Sequence, residues 1–424
     1  MPPQTSLDML VGLTNATPPK TPLRTTVRRI KPLVLLLFIV FAVQIVRPLP
    51  EPSLSLSREA VFTFEGGKPK LPWPTEGQSA VGVDGVGILG TQGAQTPAPI
   101  ASVAKAMTAY LILRDHPLVG KDEGPLIKVD QQAEEESKAR DESTVSIKVG
   151  QKFSQKQMLQ LLMIPSGNNA ARLLARWDSQ SEAAFVRKMN AAGKALGMND
   201  TTYTDPSGLK ASSVSTPLDQ LKLAKTAMRN AVFREIVDTP QVQISGVPGT
   251  IYNNNSEALL KPGVNGIKTG SSTPAGGNLL WAANAVVDGK IQRIVGAVFG
   301  IQTGNSPYAK LQNAIDASIA LIRAAQKSVD SATVVKRGDV VGYVDAELGH
   351  RVPVVATKNL KAIGWSGLKV EIKIGGARIP HTVPAGTVVG KVTVGTGRGM
   401  VSAPVALQSK LDEPGLTAKI TRLG

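Results

Sequence analysis

No cysteine occurs in the 424 residues, so thiol nucleophiles, disulfide staples and cysteine-ligated zinc are excluded. Histidine is almost as scarce. Of the three, His116 precedes a proline in Arg114-Asp-His-Pro117, while His350 and His381 fall in a late β-like stretch; none has the surroundings that a Ser-His-Asp triad requires. Aromatic residues make up 4% of the chain and the basic residues are dispersed, which removes the stacking platforms of a single-strand binder, and no nucleic-acid partner is expected. Acidic residues are in deficit, 32 against 48 Lys and Arg, and the formal charge of +16 favours an anionic neighbour such as anionic lipid or an acidic wall polymer. Oxygen-ligand loops of EF-hand spacing are missing, and neither a metal nor a cofactor is expected. The acidic run Glu134-Glu135-Glu136 reads as a solvated helix face.

Glycine (41) and proline (29) stay below the ~25–30% of a low-complexity chain, and the length is about three times the ~150 residues of one domain, so two folded domains with accessory segments are expected. Only one long apolar run occurs, residues 33–46, broken at Gln44 and bracketed by Lys31 and Arg47. It is short for a span of about 20 residues and fits the ~7–15 of a signal peptide, but no small-x-small cleavage site follows it, so an uncleaved anchor is slightly preferred. Lys20, Arg24, Arg28, Arg29 and Lys31 precede it and keep that side in the cytoplasm. The resulting division is a basic cytoplasmic tail (1–31), a transmembrane signal anchor or signal peptide (32–46), a Pro/Ser-rich linker (47–71), a main domain (72–330) and a β-rich C-terminal domain (333–424).

Within the main domain, Asp84-Gly85 and Asp288-Gly289 each join two apolar runs and read as type I′ hairpin turns. Helical periodicity covers much of residues 152–235 and returns at 308–325. Strands, a block of helices, strands and a last helix predict an α/β (α+β) unit, a sheet with helices on its faces. After residue 332 short Val-rich runs between Gly and Pro predict an all-β domain, with a faint repeat, Gly338-Asp-Val-Val-Gly-Tyr-Val344 against Gly386-Thr-Val-Val-Gly-Lys-Val392.

With no suitable His and no Cys, the remaining routes to an activated nucleophile are Ser or Thr paired with Lys, a carboxylate or a metal site, and the carboxylates and metal loops offer little. Ser-x-x-Lys occurs at Ser102, Ser207 and Ser366, but only Ser102 opens a helical run, which puts Lys105 on its own face. Ser166-Gly-Asn168 opens a later helix, and Lys268-Thr-Gly270 lies on a predicted strand before the second hairpin. Each motif is weak alone; the three in this order are a strong signal.

This set resembles that of the penicillin-recognising serine enzymes. The segments Pro99-Ile-Ala-Ser-Val-Ala-Lys-Ala-Met-Thr-Ala109, Pro165-Ser-Gly-Asn-Asn-Ala170, Asp205-Pro-Ser-Gly-Leu209 and Gly266-Ile-Lys-Thr-Gly270 are most similar to the low-molecular-weight D-alanyl-D-alanine carboxypeptidases. The resemblance implies a β-lactamase/transpeptidase-like antiparallel sheet flanked by helices, followed by a small all-β domain. It implies Ser102 as the acylated nucleophile and Lys105 as its base. Ser166 would relay a proton to the leaving D-alanine, Asn168 would orient Lys105 and the substrate amide, and Lys268 with Thr269 would receive the terminal carboxylate. The strand through Gly270 would take an extended peptide, and the backbone N–H groups of Ser102 and Ser271 would hold the oxyanion. The implied partners are peptidoglycan stem peptides ending in D-Ala-D-Ala, with β-lactams as inhibitors.

Two positions depart from the family pattern, Ser271 after Lys-Thr-Gly and Lys310, where relatives often carry Arg. The C-terminus also lacks the amphipathic helix known in some relatives, so anchoring falls to residues 32–46. A D,D-endopeptidase, a β-lactamase and a non-catalytic envelope module that binds peptides or senses β-lactams remain as alternatives. The lactamase is disfavoured because no Glu-x-x-Leu-Asn motif follows the second motif.

Overall fold

Residues 276–287 are apolar at nearly every position because both faces of their strand are covered. Leu280 and Ala282 face one hydrophobic cluster, while Leu279, Trp281 and Ala283 face another. This strand, Gly276–Val287, is second in an antiparallel sheet ordered Val264–Ser272, Gly276–Val287, Lys290–Ile301, Gln78–Val83, Gly87–Gln92. Its strands come from the two ends of the main domain, so the helices between them stack on one face and the helix Pro307–Ser328 covers the other. The computed structural model describes residues 23–348 and 351–421. His350 lies outside them.

The expected mixed α/β unit is therefore present, with one turn differing. At Asp288-Gly289 both residues have positive φ and Val287 faces Lys290, as a type I′ turn demands. At Asp84-Gly85 only Gly85 is left-handed, and Val83 faces Gly87 across a three-residue loop. The additional loop residue, Val86, removes the geometric need for a positive φ at Asp84.

The C-terminal residues form the expected all-β unit, but its seven-stranded sheet is not made from them alone. Its order is Ser53–Leu56, Val340–Asp345, Arg351–Ala356, Val401–Leu407, Val388–Val394, Lys369–Gly375, Val61–Thr63. Both outer strands come from the segment read as linker. Its Pro and Ser content masked two short runs of period two, Leu54-Ser-Leu56 and Phe62-Thr-Phe64, whose apolar side chains pack on the β-domain core, Phe64 being 5% exposed. The two copies of the repeat each begin a strand with a β-bulge, between Val340 and Gly342 and between Val388 and Gly390.

The β unit docks on the main domain through the two hairpin turns. Gly399 donates to the Gly85 carbonyl, Lys361 and Ser331 bind the Asp288 carboxylate at 2.8 Å, and Trp365 is buried in the cluster behind the sheet. A helix, Leu23–Val46, precedes these units and begins well before the expected residue 32. Its residues 33–43 hold their apolar side chains out, as with Phe38 and Leu35. Among the described residues no helix is long and apolar enough to cross a membrane. A short C-terminal helix not anticipated from sequence, Leu416–Thr421, packs against it.

Candidate active site

Ser102 lies on a 3-10 turn, Ala101–Ala104, that leads into the α-helix Lys105–Asp115. In a 3-10 turn residues three apart eclipse, so Ser102 and Lys105 stack on one side. The turn is entered through Ala101 in the left-handed region (φ 47°), and no side chain caps it, so the Ser102 hydroxyl is not spent as a helix cap. Lys105 Nζ lies 2.8 Å from Ser102 Oγ, 2.5 Å from Asn168 Oδ1 and 2.9 Å from the Ser207 carbonyl, with the side chain fully buried.

Those partners decide what the amine can do. Burial pushes the Lys105 amine well below the ordinary lysine range, and the charge of Lys268 adds to the push. A neutral amine has two N–H bonds and one lone pair. Asn168 Oδ1 and the Ser207 carbonyl can only accept, so they take the two N–H bonds and the lone pair is left for Ser102 Oγ, which of these three partners has a proton to give. Lys268, 2% exposed, is held down to about 7 by burial, and its Nζ donates to the Thr269 carbonyl at 3.1 Å.

The strand Val264–Ser272 passes against the Ser102 turn. A Cβ at Gly270 would stand 2.7 Å from the Ile100 carbonyl and 3.1 Å from the Ser102 nitrogen, so this close approach requires glycine. Thr269 is buried beside it, and Ser271 lines a cleft of about 510 Å³ together with Ser102, Asn168 and Leu209. Ser166 is held at φ 68°, and its buried Oγ has no hydrogen-bond partner among the described residues. Of the eight sequence-derived site residues, Ser102, Asn168 and Ser271 line this cleft, Lys105 bonds to the first two, Gly270 lies against the Ser102 backbone, Lys268 and Thr269 precede it on the same strand, and Ser166 stands two residues before Asn168. Lys310 points elsewhere, donating to Gln302, and the Ser207 and Ser366 motifs form no Ser–Lys helical pair. His116 binds Asp178 against Trp177, away from the cleft.

The D-alanyl-D-alanine carboxypeptidase family matches residues 72–303, more than half of the sequence. The chain belongs to this family. It is 25% identical over 337 residues to D-alanyl-D-alanine carboxypeptidase DacF of Bacillus subtilis (strain 168), covering 76% of this chain and 82% of the relative. It is 32% identical over 210 residues to the D-alanyl-D-alanine carboxypeptidase of Streptomyces sp. (strain K15), covering 46% and 71%. The crystal structure of the carboxypeptidase DacD from Francisella tularensis shares the fold, with a TM-score of 0.58 at 19% identity over 83% of this chain and 97% of that one.

Sequence reasoning used the Asp205-Pro-Ser-Gly segment of this carboxypeptidase-family chain only as a family marker and missed its work. The Asp205 carboxylate accepts from the Ser207 amide and hydroxyl, the Leu209 amide and the Ser213 hydroxyl, which folds the loop so that the Ser207 carbonyl reaches Lys105. An Asp bonding the amide two residues on is an Asx-turn signal that was legible. Gly208 closes the loop at φ 79°, where a Cβ would sit 1.9 Å from the Ala101 carbonyl. Gly208→Ala is therefore expected to displace the Ser102 turn and slow labelling by a fluorescent penicillin about 10²-fold; unchanged labelling would separate loop from turn. Glu142 and Arg172 were also missed, since their partners are 26 and 30 residues distant in sequence.

Proposed function

We propose that this protein removes the terminal D-alanine from peptidoglycan stem peptides through an acyl-enzyme on Ser102. The observation that carries the reading is the buried Lys105 amine, with its lone pair left to Ser102 Oγ by two carbonyl-type acceptors. Lys105 takes the hydroxyl proton as Oγ attacks the carbonyl carbon of the penultimate D-alanine. The C–N bond then breaks, the proton passes to the leaving amine by way of Lys105 and Ser166, and D-alanine departs. Water, deprotonated by Lys105, hydrolyses the ester and returns the proton to Ser102.

Lys268 and Thr269 receive the substrate carboxylate, whose charge offsets the weakening of the Lys268 proton by burial. The backbone N–H groups of Ser102 and Ser271 hold the oxyanion, and the edge strand through Gly270 pairs with the extended stem. β-Lactams enter as substrate mimics. Relatives named D-alanyl-D-alanine endopeptidase, such as that of Escherichia coli (strain K12), 30% identical over 224 residues (51% of this chain and 69% of the relative), give cross-link cleavage as the second reading.

Residues 32–46 are proposed to anchor the enzyme in the cytoplasmic membrane with both later units outside. Support comes from the exposed apolar side chains of residues 33–43 and the basic residues before them. The main and C-terminal domains are proposed at 72–330 and 333–424, the latter completed by strands from the 47–71 segment.

An intact-mass time course of the fragment from Pro48 with benzylpenicillin, beside Ser102→Ala, tests the chemistry. A single persistent adduct on the unaltered protein alone is expected, with release of free D-alanine from a D-Ala-D-Ala pentapeptide. Rapid drug turnover without an adduct would make it a lactamase; cleavage of cross-linked dimers without D-alanine release would make it an endopeptidase. An adduct on Ser102→Ala would sink the assignment of the nucleophile.

A further inference from the structure

One face of the helix Asn168–Ser179 carries Asn168, Arg172 and Arg176, spaced four apart. From the loop opposite, Glu142 meets the first two. Its Oε1 accepts from Arg172 Nη2 at 2.7 Å, and its Oε2 accepts from Arg172 Nη1 at 3.1 Å and from Asn168 Nδ2 at 2.6 Å. Arg172 also pairs with Glu136, and Arg176 ties Glu136, Asp130 and Glu182 together. Of the acidic run expected to be a solvated face, Glu136 thus stands inside an ion-pair ladder that ends on the amide of the second motif.

We propose that Glu142, held by Arg172, is a positioning residue that sets which end of the Asn168 amide faces Lys105. An amide has one accepting and one donating end, and an ionised carboxylate can only accept. With Glu142 charged and clamped, Asn168 must present Nδ2 to it and Oδ1 to Lys105. The flipped amide would set oxygen against carboxylate oxygens and direct an N–H at the amine whose own N–H should point there. That flip takes one acceptor from Lys105 and leaves its lone pair no longer assigned to Ser102.

A role for Glu142 as the water-activating base is disfavoured. Both of its oxygens are engaged, and although burial works to raise its proton affinity, hydrogen bonds from Arg172 and Asn168 outweigh this and hold it below the usual carboxylate range. The charged groups facing Lys105 are Lys268 on the strand, Asp205 on its loop, Glu142 on the facing loop and Arg172 on the helix; the first and last disfavour the Lys105 proton and the carboxylates favour it.

The inference rests on the Ser102–Lys105 reading above, and its test separates the two. The second-order rate of acylation by a fluorescent penicillin is measured from pH 5 to 9 for wild type, Glu142→Gln, Arg172→Gln and Ser102→Ala, with a thermal melt of each. Glu142→Gln, whose side chain can present either end to Asn168, is expected to lose about tenfold in the plateau rate. Its acid limb should move to lower pH by about half a unit or more, because a carboxylate that favours the Lys105 proton is gone. Arg172→Gln should move the limb the opposite way, since it removes a cation and leaves the carboxylate. Should one variant fail to fold, the other still has a predicted sign. Wild-type rates and limbs in the folded variants would overturn the proposal, as would a lost rate with unmoved limbs, which is what a purely structural ladder gives. Labelling of Ser102→Ala would instead overturn the parent reading.

Discussion

Lys105→Met is expected to lower the rate of penicillin acylation about 10³-fold, and the variant should gain on the wild type in thermal stability as the pH is lowered. The rate falls because general-base help contributes about 10²–10⁴-fold and, among the described residues, no other base touches Ser102 Oγ. The stability effect follows from proton linkage. In the unfolded chain the lysine stays protonated up to its ordinary value near 10.4, whereas in the fold burial, then Lys268, hold it well below that. Between the two values the unfolded state binds more protons, so wild-type stability rises with pH across that window and the penalty is complete below the folded value. Methionine removes this dependence. It also leaves Asn168 Oδ1 and the Ser207 carbonyl short of a donor, at about 1–3 kcal/mol each, so the difference in Tm across pH is the diagnostic quantity and its value at one pH is not. Lys268→Met should behave alike, with its change centred between pH about 7 and the unfolded value. Tm differences that stay flat from pH 6 to 10 would mean both lysines are charged in the fold and would remove the base from the mechanism.

A fragment starting at Pro72 instead of Pro48 should bind penicillin yet associate and lose the cooperative unfolding of its C-terminal domain. Every residue of the Ser102 site lies after Pro72. The β domain, however, would be stripped at Val340–Asp345 and Lys369–Gly375, which pair with Ser53–Leu56 and Val61–Thr63. Two bare sheet edges are templates for other chains. Loss of Phe64, whose ring lies over Gly364 in the β-domain core, would also open a cavity there, and truncation of a buried Phe costs about 3–5 kcal/mol. Size-exclusion chromatography and calorimetry of the two fragments check this; a monomeric Pro72 fragment with the melting profile of the longer one would show that the strands are dispensable.

The parts that were legible in the sequence are those set by local chemistry. Asp288-Gly289 is a turn because two positive φ values are needed in a two-residue loop, and the Ser102, Ser166 and Lys268 motifs are recognisable since their residues lie within three or four positions of one another. Residues 53–63 were misread because composition was weighed over a window longer than the two alternations inside it. Glu142 carries no local mark at all. Its meaning comes from a helix face 26 to 30 residues away, and like-charged neighbours at 134–136 made the region resemble ordinary surface.

The same N-terminal strands make the place of a proteolytic cut decisive for where the enzyme spends its life. The helix ends at Val46 and the first strand begins at Ser53, so with the anchor proposed at residues 32–46 a cut between them would release both folded units together. Cleavage at the exposed Glu59-Ala60 would not release it at once. The severed piece would remain clipped to its sheet by the four-residue pairing of Ser53–Leu56 with Gly342–Asp345, and residence would then depend on how fast that short strand exchanges. A protease shifting its cut by about a dozen residues would thereby change a switch into a timer.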